Sequence, residues 1–310
     1  MKTLVVGAGA VGGYFGGRLA QAGRDVTFLV RPRRAAELAA SGLRIHSPHG
    51  DAVIERPQTV LAERLAGKFD LIILGSKAYD LDGAIASFAP AAGPDTAILP
   101  LLNGMRHLKT LSDRFGPARV LGGLCFIAAT LDQNRDIAHL SEQHGLTFGE
   151  IAGGSSPRVE TIFDLMRGAV FSAQSSPSVL LDMWEKWVFL ATLAGSTSLM
   201  RAPVGRIVGA PGGTDFILRL FEECRSIAVA EGYAPREEQS EWVRAVLTKP
   251  GSSLTASMLR DVESGAKVEA DHIIGDLLQH AQSQRIQAPL LSLAFTNLKA
   301  YESRRSIDGT

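Results

Sequence analysis

The feature that most constrains the fold stands at the start of the chain. An apolar run from Thr3 to Val6 leads directly into GAGAVGGYFGG and then into an alanine-rich helical pattern from Ala10 to Ala22. Gly7, Gly9 and Gly12 hold GxGxxG spacing between that strand and that helix. Gly7 permits the tight turn, Gly9 removes the side chain that would block a pyrophosphate, and Gly12 lets helix and strand approach. The helix N-terminus then faces the phosphates. Gly7, Ala8, Gly9, Ala10, Val11 and Gly12 are therefore the expected dinucleotide-binding loop, whereas Gly16 and Gly17 are expected to serve close helix packing.

From Lys2 to about Phe171, β-branched and leucine-rich runs alternate with amphipathic stretches, the rhythm of a largely parallel sheet covered by helices on both faces. The expected strands are Thr3 to Val6, Asp25 to Leu29, Leu71 to Leu74, Thr96 to Leu101 and Val120 to Ala128, with a hairpin from Leu43 to Glu55 inserted before the next helix. After the polar stretch Ser172 to Ser178 the apolar spacing turns helical, over Ser178 to Leu199, Asp215 to Glu231, Ala270 to Gln282 and Pro289 to Tyr301. With 310 residues the chain has length for two ordinary domains. The fold class is α/β: an N-terminal Rossmann-type dinucleotide-binding domain over residues 1–177, followed by an all-helical C-terminal domain over residues 178–310.

Charge narrows the choice of partner. Thirty-two basic side chains balance thirty-two acidic ones, which removes the bulk attraction for nucleic acid or an anionic membrane and leaves a small molecule as the expected ligand. Apolar stretches fall short of the roughly 20 residues that span a bilayer, and the first strand begins without room for a signal peptide. A cytoplasmic protein is expected. Cys125 and Cys224 lack CxxC spacing and read as buried hydrophobes, not as a metal or disulfide framework.

The end of the second strand, roughly 20 residues beyond the glycine loop, decides between the two nicotinamide cofactors. There the sequence reads LVRPRR. It offers no carboxylate to accept from a ribose hydroxyl, while Arg31, and to a lesser degree Arg33 and Arg34, present planar donors suited to a 2′-phosphate. NADPH is the expected cofactor. Two further loops follow strand ends, where ligands bind in such sheets: Gly75-Ser76-Lys77 and Leu102-Asn103-Gly104-Met105. Lys77 and Asn103 are candidates to meet phosphate, nicotinamide or substrate; as alternatives they read as a surface lysine and a helix cap.

No HExxH, paired ligand histidines or nucleophile elbow occurs in the helical half, which leaves reduction as the chemistry. A carbonyl receiving hydride needs a positioned acid. Lys186 interrupts MWEKWVFLATLA, a helix otherwise apolar enough to be buried, and is the candidate general acid. Its alternative is a lysine snorkelling from an exposed stripe past Trp184 or Trp187. Ser257 and Glu269, in the polar stretch TASMLRDVESGAKVEA, are able to line a cleft but alone read as a cap and a solvated charge.

These marks together resemble the ketopantoate reductase family: the opening glycine run, the Ser76-Lys77 pair, PLLNGM at Pro100 to Met105, WEKW around Lys186, and SMLRDVESGAKVE from Ser257 to Glu269. The resemblance spans nearly the whole chain. It implies NADPH-dependent reduction of 2-dehydropantoate or a close 2-oxo acid at a site between the two domains, with Lys186 as general acid. It further implies that Asn103 and Lys77 border nicotinamide and substrate, and that Ser257 and Glu269 hold the substrate's polar groups. One departure stands out. The family helix usually carries asparagines one and two turns after its lysine, and here Leu190 and Ala194 occupy those places. A more apolar 2-oxo acid or ketone, and a nucleotide-binding sensor with little turnover, are the alternative readings. A homodimer through the helical domain is compatible with its apolar character.

Overall fold

The computed structural model describes residues 1–308. In chain order its first part runs β1 (Thr3–Val6), α1 (Ala10–Gln21), β2 (Val26–Leu29), α2 (Pro32–Ser41), β3 (Leu43–His46), β4 (Ala52–Ile54), β5 (Gln58–Val60), β6 (Phe69–Leu74), α3 (Leu81–Phe88), β7 (Ala92–Pro100), α4 (Arg106–Phe115), β8 (Leu121–Leu131), β9 (Ile137–Glu150), α5 (Pro157–Met166) and β10 (Ser172–Ser175). The second part runs α6 (Val179–Met200), α7 (Val204–Val208), α8 (Gly213–Ala230), α9 (Glu237–Leu247), α10 (Ser257–Glu263), a π-helical turn Asp271–Gly275, α11 (Asp276–Ser283) and α12 (Pro289–Asp308). Contacts divide the chain into two units. One holds Met1–Leu102 and His107–Leu180, and the other holds Asn103–Arg106 and everything described from Leu181 onward.

In the first unit a five-stranded parallel sheet has the order β5-β2-β1-β6-β7. Every residue of β1 is buried, as the uninterrupted apolar run requires of a central strand covered on both faces. Val6 lies opposite both Leu29 and Leu74, and Leu74 opposite Pro100, so the carboxyl ends of four strands are flush. The chain order reverses at β1, between β2 and β6, where ligands bind in open sheets.

A second sheet, ordered β10-β9-β3-β4 with β8 paired to β9, covers the other side of α1. Glycines make that sandwich possible. A Cβ on Gly16 would press Phe28 and Val5 of the first sheet, and a Cβ on Gly17 would press Leu43 and Ile45 of the second. Tyr14, Phe15 and Leu19 of α1 are fully buried in the core with Phe28, Leu43, Ile45, Leu71 and Phe148. Each such side chain contributes ~1.5–3 kcal/mol of transfer free energy.

One expectation needs correction, and two strands go unseen by local pattern. The hairpin forms, as antiparallel β3 and β4, but it belongs to this second sheet, and the next element is not a helix but a third parallel strand, β5. The long strand β9 goes unseen by local pattern because its middle, His139 to His144, is polar. The polar stretch after Phe171 holds a short strand: β10 pairs there in parallel with β9, Ser172 opposite Gly145.

The second unit holds helices alone among the described residues. Its centre is α6, in which Met183 to Ser198 is buried but for the half-buried Leu190, matching a helix apolar on all sides. Gly195 lets α6 approach Leu220 of α8 and Ala294 of α12. Among the described residues no helix is long and apolar enough to cross a membrane.

Candidate active site

The dinucleotide loop is built by three interlocked glycines. Gly7 has φ +93°, a left-handed conformation that a side chain would strain. A Cβ on Gly12 would lie 2.3 Å from the Gly7 carbonyl oxygen, and one on Gly75 would lie 2.6 Å from the Gly12 Cα. Around Gly9, by contrast, a Cβ would meet nothing within 4 Å. That open space faces the start of α1, which no side chain caps, so its first N–H groups are available to an anion. The Ser76 hydroxyl, just beyond Gly75, is buried without a hydrogen-bond partner. Open space at Gly9, uncapped amides and an orphaned hydroxyl fit a dinucleotide pyrophosphate. Arg34 donates from Nε to the Ala8 carbonyl at 3.1 Å and from Nη1 to Glu37, which makes it a support of the loop. Arg31 is exposed and pairs with Asp80 at 3.1 Å; Lys77 is exposed where the chain leaves β6.

In the second unit Lys186 is 6% exposed, so the snorkelling alternative does not hold. Its Nζ donates to Asn103 Oδ1 at 3.0 Å, across 83 residues of sequence. The Asn103 side-chain oxygen is thus engaged by the lysine. Next to Lys186, the Trp187 indole donates to the Ile273 carbonyl at 2.8 Å, fastening α6 to the π-helical turn. On the other side of the lysine, Glu185 accepts from both the backbone N–H and the guanidinium of Arg236, each at 2.7 Å. Burial pushes the Glu185 carboxyl above the usual range, with Arg236 opposing that rise.

Glu269 is buried and lies close enough to His272 to act on its charge. Ser257 is exposed at the first position of α10. Leu190 is half-buried and Ala194 buried, so the face of α6 that carries Lys186 continues as an apolar wall. Sequence reasoning missed His272 and Asp276. Burial drives the His272 imidazole below its ordinary pKa, against the pull of Glu269 and Asp276. Burial likewise raises the Asp276 carboxyl. Their spacing from Glu269, three and seven residues on, was the available signal, since in an α-helical pattern it aligns the three; in the structure Glu269 precedes the π-helical turn that carries His272.

A switch-point loop shaped for a dinucleotide, with a buried lysine held by a carboxamide in a helical unit, defines a nicotinamide-dependent oxidoreductase. Residues 3–153 match the family model described as ketopantoate reductase PanE/ApbA, and residues 178–302 match its C-terminal counterpart. The chain belongs to the ketopantoate reductase family, whose members act on a CH–OH group. It is 38% identical over 305 residues to the uncharacterized oxidoreductase YkpB of Bacillus subtilis, spanning 98% of this chain and all of that one. It is 28% identical over 313 residues to the 2-dehydropantoate 2-reductase of Pyrococcus horikoshii, with 98% of each covered. The crystal structure of 2-dehydropantoate 2-reductase from Methylococcus capsulatus is similar at TM-score 0.87 and 27% identity, over 99% of this chain and 98% of that one.

Proposed function

We propose that this chain reduces 2-dehydropantoate to pantoate with NADPH, and that Lys186 supplies the proton. The observation that carries the reading is the buried Lys186 amine held 3.0 Å from Asn103 Oδ1. A carboxamide oxygen accepts from an ammonium and aims its remaining N–H bonds, and the apolar wall of α6 keeps competing water away. When bound, the dihydronicotinamide supplies the hydride that the carbonyl carbon receives. Lys186 Nζ gives its proton to the carbonyl oxygen as charge develops there, so the ketone becomes an alcohol and the amine is reprotonated from solvent. Glu269 and Ser257 hold the substrate's hydroxyl and other polar groups. The Gly7 to Gly12 loop holds the pyrophosphate, Arg31 the 2′-phosphate, and Lys77 borders the nicotinamide side of the cofactor.

The test follows NADPH absorbance with 2-dehydropantoate and a panel of other 2-oxo acids, comparing wild type with Lys186→Ala. Turnover of 2-dehydropantoate at an ordinary enzymatic rate, lowered by about 10²–10⁴ in the variant, is expected. An unchanged kcat in Lys186→Ala removes the lysine from the chemistry. Consumption of other 2-oxo acids alone removes the substrate assignment.

A further inference from the structure

Asn103–Arg106 follows β7 in sequence yet belongs to the second unit, and two side chains account for that capture. The buried His272 ring hydrogen-bonds the Asn103 backbone in the sense that favours its protonated form, so the ring N–H donates to the carbonyl. The Asp276 carboxylate, one turn further along, is bonded by the Arg106 backbone in the sense that favours the anion, so the Arg106 N–H donates to it. His272 and Asp276 therefore grip both ends of the loop from one helical face. The loop is shaped for this approach: Gly104 has φ +76°, and a Cβ there would lie 2.8 Å from the His272 carbonyl oxygen and 3.0 Å from its ring Cδ2. The π-helical turn that carries His272 is itself tied to α6 by the Trp187 indole on Ile273, at the residue next to Lys186.

We propose that His272 is a positioning residue that holds the Asn103 loop so that the Asn103 carboxamide stays fixed on the Lys186 amine. Three hydrogen bonds and two peptide links close a ring: Lys186 to Asn103, Asn103 to His272, His272 through its neighbour Ile273 to Trp187, and Trp187 to its chain neighbour Lys186. The close approach of Gly104 to both the His272 carbonyl and its ring keeps the loop against the π-helical turn. The charged groups acting on His272 are Glu269, Asp276 and Arg106, with His280 beyond Asp276. Burial holds the ring neutral in ordinary buffer, where a single N–H suffices for the Asn103 carbonyl. This inference rests on the reading of Lys186 as proton donor, but its test is separable.

Competitive acetylation of the ligand-free protein, read by mass spectrometry, reports the reactivity of Lys186 without any substrate. His272→Phe keeps the ring but loses the donor; His272→Gln restores one. The acetylation rate of Lys186 is expected to change several-fold in His272→Phe, in the same direction as in Asn103→Ala, and to return near wild type in His272→Gln. On 2-dehydropantoate, kcat of His272→Phe is expected to fall about 10- to 100-fold with the KM for NADPH little changed, and His272→Gln to recover most of it. Where His272→Phe does not fold, Asp276→Ala, which releases the Arg106 end of the loop, carries the test by the same readouts. A folded donor-less variant with wild-type acetylation, or a glutamine variant as impaired as the phenylalanine one, overturns the proposal. A wild type without turnover whose acetylation nevertheless shifts in His272→Phe overturns the substrate assignment and leaves the positioning role standing.

Discussion

The guanidinium of Arg31 lies 3.1 Å from the carboxylate of Asp80, so the arginine assigned to the 2′-phosphate already has an anionic partner in the free protein. Both side chains are exposed, 80% and 41%, and such pairs are worth at most ~1 kcal/mol. A phosphate with more charge and more acceptor oxygens displaces the carboxylate easily. Arg31→Ala is expected to weaken NADPH by about 10- to 100-fold while NADH changes by less than about threefold. Asp80→Asn is expected to leave NADPH binding unchanged or tighter. Fluorescence titration with both cofactors decides the matter; equal losses for NADPH and NADH in Arg31→Ala would remove the arginine from cofactor choice.

Gly9 and Gly12 are predicted to fail differently when each gains a methyl group. At Gly12 the new Cβ would meet backbone, the Gly7 carbonyl oxygen at 2.3 Å, which cannot move aside without shifting β1 or α1. Gly12→Ala is expected to cost ~1–3 kcal/mol of stability or more, together with dinucleotide binding. At Gly9 there is empty space, so Gly9→Ala is expected to keep the wild-type melting temperature and still lose cofactor affinity if, as proposed, the pyrophosphate approaches there. Thermal melts with and without NADPH separate the two. A Gly9→Ala protein that NADPH stabilises as well as wild type would place the pyrophosphate elsewhere.

Arg236 is predicted to be the support without which α6 becomes pH-sensitive. Glu185 is buried and already titrates above its ordinary range through desolvation, with Arg236 pulling it back. A carboxyl raised in the folded state favours the protonated form, so its contribution is fully present below the unfolded pKa and is lost as pH rises through the folded value. Arg236→Ala removes the opposing charge and leaves the buried carboxylate unpaired. A loss of ~2–4 kcal/mol is expected at pH 8, discounted for the half-exposed arginine, and a smaller loss at pH 5. Chemical denaturation at the two pH values checks this; a loss independent of pH would mean that the arginine acts by packing alone.

Much of this architecture was legible because burial leaves a periodic trace. Leu4 to Val6 and Leu71 to Leu74 are apolar without interruption, α6 is apolar at most of its positions, and a lysine in its middle demands a partner. What was illegible depends on pairing across long distances. β9 carries His139, Ser141, Glu142, Gln143 and His144 in its middle and is a strand because β8 and β3 flank it, not because of its own composition. β10 is four polar or small residues held by β9. The same limit applies to the site. Lys186 and Asn103 were each conspicuous, but their contact spans 83 residues, and Asp80 stands 49 residues from the arginine it neutralises. His272 beside two isoleucines reads as core until the Asn103 backbone is seen against its ring.

Acid should loosen the joint between α1 and the second sheet, where three histidines meet. His49 and His144 stack with centroids 3.7 Å apart, the Tyr14 hydroxyl bonds His144 Nδ1 at 2.8 Å, and Ser47 bonds His139 Nδ1 at 2.9 Å. Burial lowers the pKa of His139 and of His144, and the neighbouring histidine rings and the buried Arg18 oppose their charging further. A histidine lowered in the folded state contributes stability that is present above its unfolded pKa of about 6.5 and is lost as pH falls through the folded value. His46 acts in the opposite sense, because its bond to Asp51 raises its pKa and so favours the folded state in acid. The melting temperature is therefore expected to fall by a few degrees between pH 7 and pH 5. His144→Gln should flatten that fall, and His46→Asn should steepen it. Melting curves of the three proteins across that range test the assignment, which fails if His144→Gln follows the wild-type slope.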